Sequence, residues 1–162
     1  MQKLFTITNE TDHIVKIELV NGKKHNPLFL ELIKELTNSL IQISSQKKVK
    51  VLIISSEGPG FSAGHDLDEL RKNRNNKKFF NELFNECSNL MQTIINLPQP
   101  VIAEVCGIAA AAGCQLVASC DLAVASEQAS FMTPGVNIGL FCSTPMVAVS
   151  RNLSRKKIME ML

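Results

Sequence analysis

Apolar residues recur along this chain with two different periods, and the switches between them mark out the elements. Phe5 and Ile7 open a first strand and residues 9–12 supply turn residues. Residues 13–19 then alternate, with Val15, Ile17 and Leu19 on one face and Lys16 and Glu18 on the other, the pattern of a half-buried strand. Asn21-Gly22 is a strong turn signal. Asn26-Pro27 reads as a helix cap followed by proline at the first helical position. From there Leu28, Leu32, Leu36, Leu40 and Ile43 carry a helical stripe to about Ser44. Residues 49–54 form a buried strand, closed by the turn-rich run 55–60. At 61–70, FSAGHDLDEL is a small-residue turn that opens a helix, with Asp66, Asp68 and Glu69 in the first turn, where the dipole favours them. The basic run 71–78 reads as a solvated loop, with a phosphate contact from Arg71, Lys72, Lys77 or Lys78 as the alternative. Phe80, Leu83, Phe84, Cys87, Leu90, Met91 and Ile94 mark an amphipathic helix that stops before Pro98.

The rest is organised around PVIAEVCGIAAAAGCQLVASCD, residues 100–121. Residues 101–106 are rich in β-branched side chains and suit a buried strand, which Gly107 ends. Residues 108–113 are almost all alanine and glycine, and 115–120 continue as an amphipathic helix. A helix entered through such small residues lets a ligand approach its first N–H groups, which lack intrahelical partners and sit at the positive end of the dipole. Tight packing of two elements is the competing explanation for the same small residues. Beyond this stretch, 122–125 and 130–133 read as short apolar strands. Pro134-Gly135 turns the chain into 136–141, and Thr144-Pro145 repeats the cap-plus-proline start of a helix reaching about Leu153. Ser154 caps a last helix whose Ile158, Met161 and Leu162 should bury against an element that follows. The chain thus reads as one domain over 1–162, stopping in mid-element. Strands alternating with helices indicate an α/β fold. Two of its turns place backbone N–H groups at a helix start, and together they could bracket one carbonyl oxygen.

Composition narrows the options. The 162 residues are 45% hydrophobic and 20% charged, as in an ordinary globular domain, and the net charge of +2 gives no footing for nucleic acid or an anionic membrane. The five cysteines contain no C-x-x-C pair and lie mostly in apolar runs, which suits buried reduced thiols better than zinc or disulfides. Apolar runs stay well short of a membrane span, and MQKLFTITNETDH has neither a signal-peptide core nor transit-peptide character; both point to a cytoplasmic placement.

FSAGHDLDEL, PVIAEVCGIAAAAGCQLVASCDLAVAS and SFMTPGVNIGLFCSTP together resemble the enoyl-CoA hydratase/isomerase (crotonase) family, over essentially the whole chain. The resemblance implies a crotonase-like ββα spiral lacking its C-terminal helical region. It also implies an acyl-CoA thioester as substrate or partner, with coenzyme A part of that substrate and no separate cofactor or metal. The family's trimers or hexamers are not expected of so short a chain. By resemblance, the backbone N–H groups of His65 and Ala112 form an oxyanion hole, and Ala63, Asp66 and Leu67 lie along the coenzyme A path. The two glutamates with which family hydratases handle water fall on Gln115 and Gly135, and Ala111-Ala112-Gly113 stands where the family has a glycine triplet. An amide cannot cycle a proton near neutral pH and glycine has no side chain, so two-glutamate hydration is not expected. His65 is the best remaining titratable group, since FSAGHD also resembles family decarboxylases. Two alternatives stand beside an enzyme with atypical chemistry: a non-catalytic acyl-CoA binding module, and an inactive truncated remnant.

Overall fold

A computed structural model describes residues 3–162. It opens with an antiparallel pair, β1 (Phe5–Asn9) and β2 (Ile14–Leu19), in register from Phe5 opposite Leu19 to Asn9 opposite Val15. Helix α1 (Leu30–Ser44) follows. A strand–strand–helix unit then recurs three times. The first is β3 (Val51–Ser56), β4 (Gly60–Ser62) and the helices α2 (Leu67–Lys72) and α3 (Lys77–Asn96). The second is β5 (Val101–Val105), β6 (Ile108–Ala110) and α4 (Ala112–Ser119). The third is β7 (Leu122–Ala125), β8 (Ser130–Met132) and α5 (Ser143–Ser150), before a last helix α6 (Arg155–Met161).

Each repeat adds one parallel strand to each of two sheets. The leading strands extend the hairpin into the order β1-β2-β3-β5-β7, and the trailing strands make a second sheet, β4-β6-β8. This is the ββα spiral that the sequence resemblance implied. Val15, Ile17 and Leu19 face the core as their alternation predicts, joined by Leu52, Ile54, Val101 and Ala103 from the neighbouring strands. The stripes of α1 (Leu32, Leu36, Leu40) and α3 (Leu83, Leu90, Ile94) close over them. Each such side chain stabilises the fold by about 1.5–3 kcal/mol on burial. No helix among the described residues is long and apolar enough to cross a membrane.

Several expectations are corrected. Strands β4 and β6 are only three residues long, too short to show a period, and their sequences read as turns. Asn21-Gly22 leads into a 3-10 turn, Gly22–Lys24. Asn26 does not cap α1. The helix begins four residues later, after an extended Phe29 that offers no side-chain cap, and the open N–H of Leu30 donates instead to Glu69 of α2 (Oε2 at 3.1 Å). Residues 71–78 are not all loop: α2 runs to Lys72, and the Asn76 side chain caps α3 by accepting from the Phe79 N–H at 3.1 Å. Helix α4 is buried nearly all round rather than amphipathic. Thr144-Pro145 lies inside the first turn of α5, whose N-cap is Cys142, and Ser154 precedes α6 without a side-chain cap bond.

The end of the chain also differs from expectation. Ile158 is only 6% exposed, packed with Cys114 and Val149, and Met161 and Leu162 lie against the same cluster. The Thr133 hydroxyl donates to the Met161 carbonyl and ties α6 down. Apolar surface is exposed elsewhere: on every residue of β7, on Phe131 and Met132 of β8, and at Val136, Ile138, Leu140 and Phe141 beyond them. All five cysteines are free, and Cys106 is exposed rather than buried.

Candidate functional site

The chain leaves β4, β6 and β8 at one edge of the second sheet. Ser62 stands opposite Ala109, and Ala110 opposite Met132, so residues 63–66, 111–112 and 133–135 emerge side by side from adjacent parallel strands. In α/β sheets the carboxyl ends of parallel strands are where ligands sit, because helix starts and open backbone amides collect there.

The first two of these turns are in contact. Gly64 has φ +88, and a Cβ added to it would lie 3.0 Å from the Ala110 carbonyl oxygen and 3.1 Å from the Ala112 nitrogen. A Cβ on Gly113 would fall 2.4 Å from the Ser62 carbonyl oxygen, so the first turn of α4 is pressed against the end of β4. Only glycine permits either approach. Between them Ala111 holds φ 49 and ψ −119, a conformation that costs a residue with a side chain about 1–3 kcal/mol. Its N–H donates to Met132 O at 3.0 Å, tying this turn to the end of β8 as well.

This packing leaves two N–H groups open. Ala112 is the first residue of α4, so its amide has no intrahelical acceptor and stands at the positive end of the helix. The His65 amide belongs to the same peptide unit as the Gly64 carbonyl, which accepts the Leu28 N–H at 2.8 Å. In a trans peptide the C=O and N–H point in opposite directions, so that bond aims the His65 N–H away from Leu28. Among the described residues the His65 amide, which precedes α2, and the Ala112 amide, which opens α4, have no backbone acceptor.

The His65 ring is held on two sides. Nδ1 lies 3.2 Å from the Leu28 carbonyl oxygen, which places the ring proton on Nδ1 and leaves Nε2 as an acceptor, and Phe84 meets the ring edge-on at a centroid distance of 5.6 Å. Burial pushes its pKa below the ordinary value, against the smaller opposing pull of Leu28, so the imidazole is neutral near pH 7. Asp66 is committed to capping α2, its Oδ1 accepting from the Asp68 and Glu69 N–H groups at 2.8 and 3.1 Å. Ala63 and Leu67 are exposed beside it.

Gln115 and Gly135 hang from the same edge, on the first turn of α4 and in the 3-10 turn Pro134–Ile138 after β8. Gln115 is 7% exposed and its Oε1 has no partner among the described residues. The space in front of Gly135 is taken: a Cβ there would lie 2.8 Å from both Cys142 Sγ and the Leu140 carbonyl oxygen. A cleft of about 800 Å³ lies between α4, β7, β8, α5 and α6; Cys114, Thr133 and Pro134 line it, but His65, Ala112, Ala63, Asp66 and Leu67 do not. Burial pushes the Cys114 and Cys120 thiols on its wall up to about 11 and about 12.

Two residues at this edge have a second role that local spacing does not show. Asn26 and Glu69 hold the first turn and α1 in place through bonds that reach 31 to 39 residues along the chain.

A family model described as enoyl-CoA hydratase/isomerase matches residues 9–162. Human enoyl-CoA hydratase domain-containing protein 3, mitochondrial, is 52% identical over 157 residues, which are 97% of this chain and 52% of that protein. Mouse methylglutaconyl-CoA hydratase, mitochondrial, is 33% identical over 124 residues, 76% of this chain and 39% of that protein. Among solved structures, human enoyl coenzyme A hydratase domain-containing protein 3 superposes with a TM-score of 0.92 at 50% identity, covering 99% of this chain and 62% of that one. An enoyl-CoA hydratase of Mycobacterium smegmatis does so with a TM-score of 0.94 at 41% identity, covering 99% and 62%. The chain spans about half the length of the first of these curated relatives.

Proposed function

The chain belongs to the enoyl-CoA hydratase/isomerase family, and from that premise we propose that it binds acyl-CoA thioesters and polarises the thioester carbonyl between the N–H groups of His65 and Ala112. The observation that carries this reading is the contact of the two turns, with the Ala112 nitrogen 3.1 Å from where a Gly64 side chain would start. Donors fixed in advance cost no reorganisation when negative charge develops on the carbonyl oxygen, as it does when the neighbouring C–H is deprotonated or a nucleophile adds to an enoyl chain. Ala63 and Leu67 offer exposed surface along the coenzyme A path, while Asp66 Oδ1 is engaged in capping α2.

Hydration by a pair of glutamates is not part of the proposal. Gln115 cannot exchange protons near neutral pH, and Gly135 offers no side chain. His65 Nε2, on a neutral ring, is the best candidate at the first turn to take up a proton near neutral pH. The same two positions favour a second reading, a module that binds acyl-CoA without turnover. Both readings require binding, which thermal melting tests. Acetyl-CoA and longer acyl-CoA esters should raise the melting temperature by mass action, by about 2.7 kcal/mol of added stability at a hundredfold excess over the dissociation constant. No shift at millimolar ester with a folded sample would overturn both readings.

A further inference from the structure

Resting on that reading of His65 and Ala112 as carbonyl donors, we propose that Asn26 is a positioning residue for the His65 donor. Asn26 is 0% exposed and holds φ 48, a left-handed conformation that asparagine tolerates better than most residues. Its carboxamide is fully used: Oδ1 accepts the Asn21 N–H at 2.8 Å, and Nδ2 donates to the Glu57 carbonyl at 2.9 Å and the Gly60 carbonyl at 2.8 Å. One side chain therefore locks a strap, residues 21–28, to the turn that leads into β4.

The strap in turn holds each residue of the donor turn. The Ala63 N–H donates to His25 O at 2.8 Å, the Leu28 N–H donates to Gly64 O at 2.8 Å, and His65 Nδ1 donates to Leu28 O at 3.2 Å. Asn26 sits between His25 and Leu28, so its conformation sets where both carbonyls and the Leu28 N–H stand. The Leu28 bond matters most, because it orients the peptide plane that carries the His65 N–H. Aspartate cannot replace asparagine, since an ionised carboxylate would face two carbonyl oxygens with no proton to give.

The test uses a conjugated dienoyl-CoA, whose absorption moves to longer wavelength when its carbonyl is polarised. The unsubstituted chain, Asn26→Asp and Asn26→Gly are compared, the glycine variant keeping the left-handed backbone and losing only the carboxamide. Leu40→Ala, a core truncation on α1 away from the turn, serves as a control for lost stability. Both Asn26 variants should lose most of the spectral shift and bind the dienoyl ester about five- to tenfold more weakly, the equivalent of one good hydrogen bond. Their affinity for free coenzyme A, which has no thioester carbonyl, should fall less than their affinity for the ester, and Leu40→Ala should keep the full shift. A folded Asn26→Gly with an undiminished shift would overturn the positioning role. A missing shift in the unsubstituted chain would instead overturn the reading of His65 and Ala112 on which the role rests.

Discussion

The Ala112 nitrogen stands 3.1 Å from the point at which a side chain on Gly64 would begin. A methyl group there would press on the Ala110 carbonyl and the Ala111 side chain as well, and it would have to hold φ +88. Gly64→Ala should therefore lose about 1–3 kcal/mol of stability from backbone strain. By wedging the two turns apart it should also weaken acyl-CoA binding by more than tenfold. Urea melts and calorimetric titration check the two effects separately, and tight binding by a destabilised variant would show that the spacing of the turns is not critical.

Ala111→Gly should act in the opposite direction. Relief of about 1–3 kcal/mol of strain at φ 49, ψ −119 outweighs the roughly 0.4–1 kcal/mol by which a glycine stabilises the unfolded chain. The melting temperature should rise by about 2–4 °C for each kcal/mol gained. An unchanged or lower melting temperature would mean that the alanine is not strained at this position.

What the sequence showed and what it hid can be traced to particular residues. Val15, Ile17 and Leu19, and Leu83, Cys87, Leu90, Met91 and Ile94, occupy elements long enough for a period to appear and face the core as expected, whereas Phe84 of the same stripe is 46% exposed. The glycine and alanine turns at 63–64 and 111–113 were visible as helix starts. Their meeting was not visible, because it depends on the three-residue strands β4 and β6 pairing across the chain. Asn26-Pro27 reads as a cap because local spacing is all that a sequence offers, whereas Asn26 Nδ2 finds its acceptors at residues 57 and 60. The last helix seemed to lack a partner because the cluster that covers Ile158 is built from Cys114 and Val149, on two other helices.

His65 gives a pH dependence with a definite sign. Burial lowers its pKa in the fold below the ordinary 6.5, so the unfolded chain takes up the proton first as pH falls. The stability contributed by this group is complete above 6.5 and is lost as pH drops through that value towards the folded pKa. His65→Asn, which can still donate to Leu28 O, removes the titration. Melting temperatures measured between about pH 8 and pH 5 should fall less steeply for the variant than for the unsubstituted chain. Parallel curves would contradict the assignment of a buried neutral ring.

Hydration of crotonyl-CoA should not exceed the uncatalysed rate, as followed by the loss of conjugated enoyl absorbance. Installing glutamate at residue 135 should not supply it, because Cys142 Sγ and the Leu140 carbonyl already stand 2.8 Å from the Cβ position and residues 140–142 would have to move. Gln115→Glu alone places a carboxyl at a site only 7% exposed, where burial raises its pKa and favours the protonated form. Robust hydration by the unsubstituted chain would show that a group other than residues 115 and 135 activates water.

The most direct test watches the two donors themselves. In a spectrum of the nitrogen-15-labelled chain, acetyl-CoA should move the amide protons of both His65 and Ala112 downfield as they take the thioester oxygen as acceptor. Free coenzyme A, which lacks that oxygen, should leave both nearly in place while perturbing residues along its own path. Saturating acetyl-CoA that shifts other amides but neither of these would contradict the account at its centre.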